Sequence, residues 1–167
     1  DVYKRQDSVS MDNISAEYKM TEYLIELGHK KIAYVGSINA TTSIMDRYLG
    51  YRRALHHYNI LYREDYLIED RGEDRLFKEL ALPEDMPTAF VCNNDEIACI
   101  LIEKLEKMGY SVPEDISVTG FDNYPFIRRN ASGLTTVDVD IAMMASEGVE
   151  LLLERLNDKR ETFVRRV

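Results

Sequence analysis

The sequence is poor in the features that mark membrane proteins, disulfide-rich proteins and nucleic-acid binders. No apolar run approaches the ~18 residues that would predict a membrane-spanning helix. The 167 residues include only two cysteines, Cys92 and Cys99. This pair gives neither a disulfide framework nor the spacing of a zinc site, so we interpret both as reduced thiols. The formal net charge is -9, and a phosphate backbone would therefore repel this chain.

Sequence signals for catalysis are also missing. The sequence contains no G-x-G-x-x-G after a strand, no G-x-x-x-x-G-K-[ST] and no G-x-S-x-G. The adjacent His56 and His57 are a poor metal pair, because neighbouring helical residues point about a third of a turn apart. Asp70 and Asp74 lie in a charge-rich segment and are interpreted as solvated. We therefore expect neither an enzyme nor a bound metal or cofactor.

The composition is typical of a globular domain. Hydrophobic residues make up 45% of the chain and charged residues 31%, which excludes a disordered protein. The length suffices for one ordinary domain with a core that needs no disulfides. The first six residues, DVYKRQ, share no periodicity with the rest and are interpreted as a scar outside the fold.

Strand-like and helix-like segments alternate along the chain. Strands are predicted at 9–11, 32–36, 66–68, 89–92, 116–121, 134–139 and 162–167, and helices at 15–27, 44–58, 73–80, 95–108 and 141–156. Asp95 is predicted to be the N-cap of its helix. This alternation predicts an α/β fold, doubly wound around a mainly parallel sheet with right-handed crossovers.

Three polar clusters follow predicted strands at equivalent points. These are Asp46-Arg47, Asn93-Asn94-Asp95 and Asp122-Asn123. Ligands of open α/β sheets bind outside the carboxyl ends of the strands, so the three clusters can converge on one crevice. Arginine is a forked donor, asparagine both donates and accepts, and aspartate accepts. That set suits a neutral polyhydroxylated ligand such as a sugar.

Each of these residues also has a purely structural interpretation. Asp95 and Asn94 could serve only the helix cap and the turn before it. Arg47 could form a surface ion pair worth ~0 to 1 kcal/mol with a nearby carboxylate. Asp122 could be a turn former together with Asn123. Spacing alone leaves these alternatives open.

Five segments together resemble a known family. They are GHKKIAYVG (28–36), DRYLGYRRAL (46–55), PTAFVCNNDEIA (87–98), VPEDISVTGFDN (112–123) and LTTV (134–137). In this order, they resemble the effector-binding domain of LacI/GalR-type transcriptional regulators, over residues 9–167. The resemblance implies a periplasmic-binding-protein-like fold, in which two α/β lobes surround a ligand cleft and one lobe is largely present here.

The resemblance also implies how the chain is divided. Residues 1–8 would be a scar and a remnant between the lobes, and residues 9–137 the second lobe. Residues 138–160 would hold a helix that returns to the first lobe, and residues 161–167 a last strand back on the second lobe. We therefore expect the helix at 141–156 either to expose its apolar stripe, which includes Val149, Leu152 and Leu156, or to dock atypically.

By the same resemblance, Arg47, Asn94 and Asp122 occupy effector-binding positions, and Val139 and Ile141 match positions that line the pocket in some members. An aromatic that stacks on the sugar in some members has no clear counterpart, although Tyr48 or Phe126 could substitute. The implied partners are a small-molecule effector, expected to be a sugar, DNA through a separate N-terminal domain, and a second copy in a homodimer. The implied location is the cytoplasm, without a membrane. A periplasmic sugar-binding protein of an ABC transporter is the alternative.

Overall fold

A computed structural model describes residues 6–124, 133–157 and 163–167. The chain divides into a larger unit, Asn13–Asp138, and a smaller unit from Asp1–Asp12 and Val139–Val167. In chain order the elements are β1 (Ser8–Val9), α1 (Asn13–Glu26), β2 (Ile32–Val35), α2 (Thr42–His57), β3 (Leu67–Ile68), β4 (Ala89–Cys92), α3 (Asp95–Lys107), β5 (Ser117–Asp122), β6 (Thr135–Asp138), α4 (Ile141–Asn157) and β7 (Arg165–Arg166).

The larger unit is built on a five-stranded sheet in the order β3-β2-β4-β5-β6. Every pairing in this sheet is parallel. The predicted α/β fold with a parallel sheet is therefore confirmed. Because parallel strands run the same way, their carboxyl ends form one edge of the sheet, where polar side chains can gather.

Helices cover both faces of the sheet because side chains alternate along each strand. On one face, Ile32 and Tyr34 of β2 pack in a cluster with Leu24 of α1 and Tyr51 of α2. On the other face, Ala33 and Val35 of β2 and Phe90 of β4 pack with Ile97, Leu101 and Leu105 of α3. The strands β2 and β4 are thus buried on both sides, which explains why they are short continuous apolar runs.

The helix predicted over residues 73–80 is not formed. This segment turns back on itself, with an antiparallel bridge between Arg71 and Phe77 and a positive φ of 64° at Arg75. Leu76 and Phe77 are exposed, so a helix here would bury no apolar face. Most helical stability in proteins comes from such burial, and the prediction from local spacing was wrong.

The smaller unit contains a parallel pair of short strands, β1 and β7, and the helix α4. Backbone amides of Ser8 and Ser10 donate to the carbonyls of Val164 and Arg166. The expectation that residues 161–167 return to the second lobe stays a prediction. The strand β7 pairs with β1 and is not part of the five-stranded sheet.

The helix α4 exposes most of its apolar side chains. Leu151 is only 4% exposed, but Val149, Leu152 and Leu156 are 57%, 58% and 72% exposed. The structure therefore shows that the apolar stripe of α4 is exposed, which is one of the two expected alternatives. Among the described residues, no helix is long and apolar enough to cross a membrane.

Candidate functional site

Polar residues stand at the carboxyl end of each strand of the sheet. Asp70 follows β3, Ser37 follows β2, Asn93 follows β4, and Asp122 and Asp138 end β5 and β6. Asp122 and Asp138 are register partners. A polar edge therefore crosses the whole sheet in the place where open α/β sheets bind ligands.

Arg47 is the centre of this edge. Its Nη2 donates to Asp122 Oδ1 at 3.0 Å, and its Nη1 donates to the backbone carbonyl of Asn93 at 2.5 Å. Its Nε donates to Asn13 Oδ1 of α1 at 3.0 Å. The guanidinium carbon lies 3.6 Å from the centre of the Phe121 ring, a cation–π distance. Contacts from α1, α2, β4 and β5 thus hold the Arg47 side chain in place. The interpretation of Arg47 as a member of a surface ion pair only is therefore excluded.

Asp122 presents a carboxylate beside this arginine. Its side chain is 39% exposed, so it can accept hydrogen bonds from a molecule in the crevice. Burial raises the pKa of Asp122, and the Arg47 charge opposes that shift. Asp122, the last residue of β5, and Asn123 both have positive φ, at 101° and 52°. Strained backbone of this kind clusters at ligand-binding sites.

Asn94, and not Asp95, has the helix-capping role expected from the sequence. Asn94 is the N-cap of α3, with extended backbone, and its Oδ1 accepts from the amide of Ile97 at 2.9 Å. Asp95 is buried and accepts from the amide of Tyr124 at 2.8 Å and the hydroxyl of Thr136 at 2.5 Å. The prediction that Asp95 is the cap was wrong, because Asp95 is already the first helical residue of α3 and the residue before it caps the helix.

The half-buried Asn94 keeps part of its side chain for a ligand. Only its oxygen serves the helix cap. Within the described residues its Nδ2 has no hydrogen-bond partner, so two N–H donors remain available near the crevice. The cap interpretation and the ligand interpretation are therefore compatible.

Gly120 allows Asp95 to approach β5. A Cβ added at Gly120 would lie 2.3 Å from Asp95 Oδ1, so any side chain there would displace this buried carboxylate. Asp95 in turn fixes the backbone just after Asp122 through the amide of Tyr124. The glycine and the buried aspartate together set the course of the chain as it leaves the site.

A second polar layer, not recognised from the sequence, lies behind Arg47. Asn93 is fully buried, and its Nδ2 donates to Asp70 Oδ2 at 3.2 Å. Asp70 also accepts from the amide of Ser37 at 2.7 Å and forms an ion pair with Arg71 at 3.3 Å. Asp70 is itself fully buried, which corrects its interpretation as solvated. The signals in the sequence are that Asn93 belongs to one of the three polar clusters and that Asp70 lies two residues after a predicted strand.

Val139 and Ile141 belong to the smaller unit, at the start of α4. Val139 is half-buried and Ile141 is exposed. Their contact with an effector stays a prediction from the resemblance. The Tyr48 side chain is buried and its ring packs against Tyr34. Tyr48 is therefore part of the core and does not reach the crevice. Phe126 lies outside the described residues.

The polar groups of the crevice are suited to binding a small molecule. Arg47 and Asp122 neutralise each other, and the amide of Asn94 adds neutral donors, which suits an uncharged ligand with several hydroxyls. No group of three or more His, Cys, Asp or Glu side chains in the described ranges could hold a metal ion. An open parallel sheet with a polar crevice at its carboxyl edge defines a ligand-binding protein of the doubly wound class.

The chain belongs to the periplasmic binding protein-like domain family, whose model matches residues 21–167. Over 159 residues it is 32% identical to an arabinose metabolism transcriptional repressor of Geobacillus stearothermophilus, covering 90% of this chain and 43% of that protein. It is 31% identical over 162 residues to the HTH-type transcriptional repressor PurR of Vibrio vulnificus (strain CMCP6), covering 95% and 48%. The chain thus spans about half the length of these relatives.

Solved structures of transcriptional regulators share the fold. The transcriptional regulator CelR in complex with cellobiose aligns with a TM-score of 0.82 at 25% identity, over 98% of this chain and 51% of that chain. A LacI family regulator from Enterococcus faecium with bound ribose aligns with a TM-score of 0.78 at 27% identity, over 96% and 60%. The resemblance to LacI/GalR-type effector-binding domains is therefore confirmed.

Proposed function

We propose that this chain is the effector-binding part of a LacI/GalR-type transcriptional regulator and that its effector is a sugar. The observation that carries the proposal is the Arg47–Asp122 pair, joined at 3.0 Å at the carboxyl edge of the sheet. Together with the amide of Asn94, it offers donors and an acceptor to one small molecule.

The chemistry of the site favours a sugar over a charged effector. Sugar hydroxyls both donate and accept, so they can bridge a guanidinium and a carboxylate without leaving either charge unpaired. A strongly anionic ligand would meet Asp122, and the net charge of -9 would oppose its approach. Two structural relatives hold cellobiose and ribose, which supports the same class of effector.

In a regulator, ligand binding between two lobes would favour one relative orientation of those lobes. The ligand shifts that equilibrium only by its differential affinity for the two states. A homodimer would transmit the change to DNA-binding domains outside this chain, in the cytoplasm. The acidic chain itself would not contact DNA.

Two other functions are less well supported. A periplasmic sugar-binding protein of an ABC transporter shares the fold, but the two relatives described above are named as repressors. An enzyme would need a nucleophile paired with a base, or an equivalent catalytic constellation, in the crevice. The polar groups found there are instead engaged with one another.

A thermal-shift screen of the full-length protein tests the effector class. The panel contains mono- and disaccharides, with nucleosides and purines as controls. A sugar at a hundred times its dissociation constant should stabilise the native state by ~2.7 kcal/mol, an easily measured shift. A purine hit without a sugar hit would contradict the sugar assignment.

A DNA-binding assay tests the regulatory role separately. The full-length protein is titrated onto its own promoter region with and without the sugar found in the screen. We expect the sugar to change operator affinity by fivefold or more, the usual range of allosteric coupling. Unchanged affinity at saturating sugar would contradict the role as a sugar-responsive regulator.

A further inference from the structure

A buried carboxyl group lies behind the arginine of the site. Glu17 of α1 is 0% exposed, and neither of its carboxyl oxygens has a hydrogen-bond partner among the described residues. Buried polar groups are nearly always paired, since an unpaired one loses its hydration without compensation. The ligand-binding role of the crevice does not explain this residue.

The two helices place Glu17 close to Arg47. On α1, Asn13 lies one turn before Glu17 and accepts the Nε–H of Arg47 at 3.0 Å; residues four apart share a helix face. On α2, Gly50 lies one turn after Arg47, and a Cβ added there would be 3.0 Å from the Cβ of Glu17. Glu17 therefore points toward α2, one helical turn beyond the Arg47–Asn13 contact.

Gly50 makes this close packing of α1 against α2 possible. An added Cβ at Gly50 would also lie 2.3 Å from the carbonyl oxygen of Ile14. The helices therefore touch through backbone at this point. The Glu17 carboxyl is fully buried, and among the described residues it has no hydrogen-bond partner and no salt-bridge partner within 4.0 Å.

We propose that Glu17 is a proton-dependent positioning residue for Arg47. With a proton on Glu17, the carboxyl group is neutral and Arg47 stays on Asp122 and the carbonyl of Asn93. When that proton leaves to solvent, the Glu17 carboxylate competes with Asp122 for the guanidinium. The arginine then shifts away from the crevice, and the effect on ligand binding rests on the function proposed above.

The electrostatic surroundings support two such states. Burial raises the pKa of Glu17 from its ordinary 4.5 to about 8, and the Arg47 charge opposes that shift. Among the described residues, Glu17 also affects the pKa of Tyr34 of β2 and of Cys92 of β4. Burial raises the pKa of both groups. Both are neutral near pH 7, so Arg47 is the charged group that responds when Glu17 ionises.

NMR of the full-length protein without ligand tests the proposal directly. The Glu17 carboxyl carbon and the Arg47 Nε are followed between pH 4 and pH 9. We expect both signals to titrate with the same midpoint, near pH 8. A Glu17 midpoint at its ordinary 4.5, or an Arg47 signal that does not move with Glu17, would overturn the proposal.

Two variants sharpen the test. In Glu17→Gln, which keeps the size of the side chain, the pH-dependent shift of the Arg47 signal should disappear. In Asp122→Asn, the competing carboxylate is gone, so the Glu17 midpoint should fall; an unchanged midpoint would contradict the competition. Because this experiment contains no sugar, it can fail while the sugar screen succeeds, and the reverse.

Discussion

Replacing Asn94 separates its helix-capping role from its proposed ligand-binding role. The cap is the hydrogen bond from the amide of Ile97 to Asn94 Oδ1 at 2.9 Å. Asn94→Ala removes it and should lower the free energy of unfolding by about 1 kcal/mol, within the 0.5–2 kcal/mol typical of caps. Asn94→Ser keeps an oxygen acceptor and should leave stability nearly unchanged, because serine caps as well as asparagine.

Both substitutions remove the amide N–H donors of Asn94. If the Asn94 amide donates one hydrogen bond to the sugar, worth about 1 kcal/mol, sugar affinity should fall roughly fivefold in both variants. The assays are equilibrium urea unfolding and calorimetric titration of the full-length protein with its sugar. Asn94→Ser as unstable as Asn94→Ala would refute the capping role, and unchanged affinity in both variants would refute the ligand contact.

Three further predictions concern stability. Leu151→Ala should lower the free energy of unfolding, measured in urea, by about 2–5 kcal/mol. The control Leu152→Ser, at an exposed neighbouring position, should change it by less than about 0.5 kcal/mol. Equal effects would contradict the burial of Leu151 and the exposure of Leu152 on α4. Gly50→Ala should lower the melting temperature, because its Cβ would lie 2.3 Å from a backbone oxygen of α1. The control Gly148→Ala, with nothing within 4 Å, should raise it, and the same change in both would be inconsistent with the packing of α2. The pKa of Glu17 is raised in the folded state. The stability that Glu17 contributes is therefore fully present below pH 4.5 and is lost as pH rises to about 8. Stability curves against pH should therefore show Glu17→Gln gaining on the wild type by up to about 5 kcal/mol across that window, and parallel curves would contradict the raised pKa.

The fold could be predicted from the sequence because short apolar strand segments alternate with segments of helical periodicity. Ile32–Val35 and Ala89–Cys92 are buried along their whole length. That Arg47 and Asp122 could converge was predicted from the parallel sheet, since polar groups at carboxyl strand ends share one edge, but spacing alone left other partners of Arg47 open. Neither inference required knowledge of a particular side-chain contact.

The errors arose where neighbouring residues have similar local preferences. The run Asn93-Asn94-Asp95 offers three good N-cap residues in a row, and helix boundaries inferred from local signals are uncertain by a residue or two. Only packing decides that Asn94 caps the helix and that Asp95 is buried against Gly120. A one-residue difference thus changes which side chain is free to contact a ligand.

Buried carboxyl groups were the other feature that could not be predicted from the sequence. Asp70 lies among charged neighbours, and Glu17 lies on a helix with mixed polar and apolar residues, so both resemble solvated side chains. Their burial depends on contacts with residues far along the chain, such as the 3.2 Å bond from Asn93 to Asp70. Local patterns carry no information about such contacts.

A crystal structure of the full-length protein with the sugar identified by the screen tests the central claim most directly. We predict sugar hydroxyls within hydrogen-bonding distance of the Arg47 guanidinium, the Asp122 carboxylate and the Asn94 amide. A sugar bound away from the carboxyl edge of the five-stranded sheet, with the Arg47–Asp122 pair untouched, would contradict the assignment of this site.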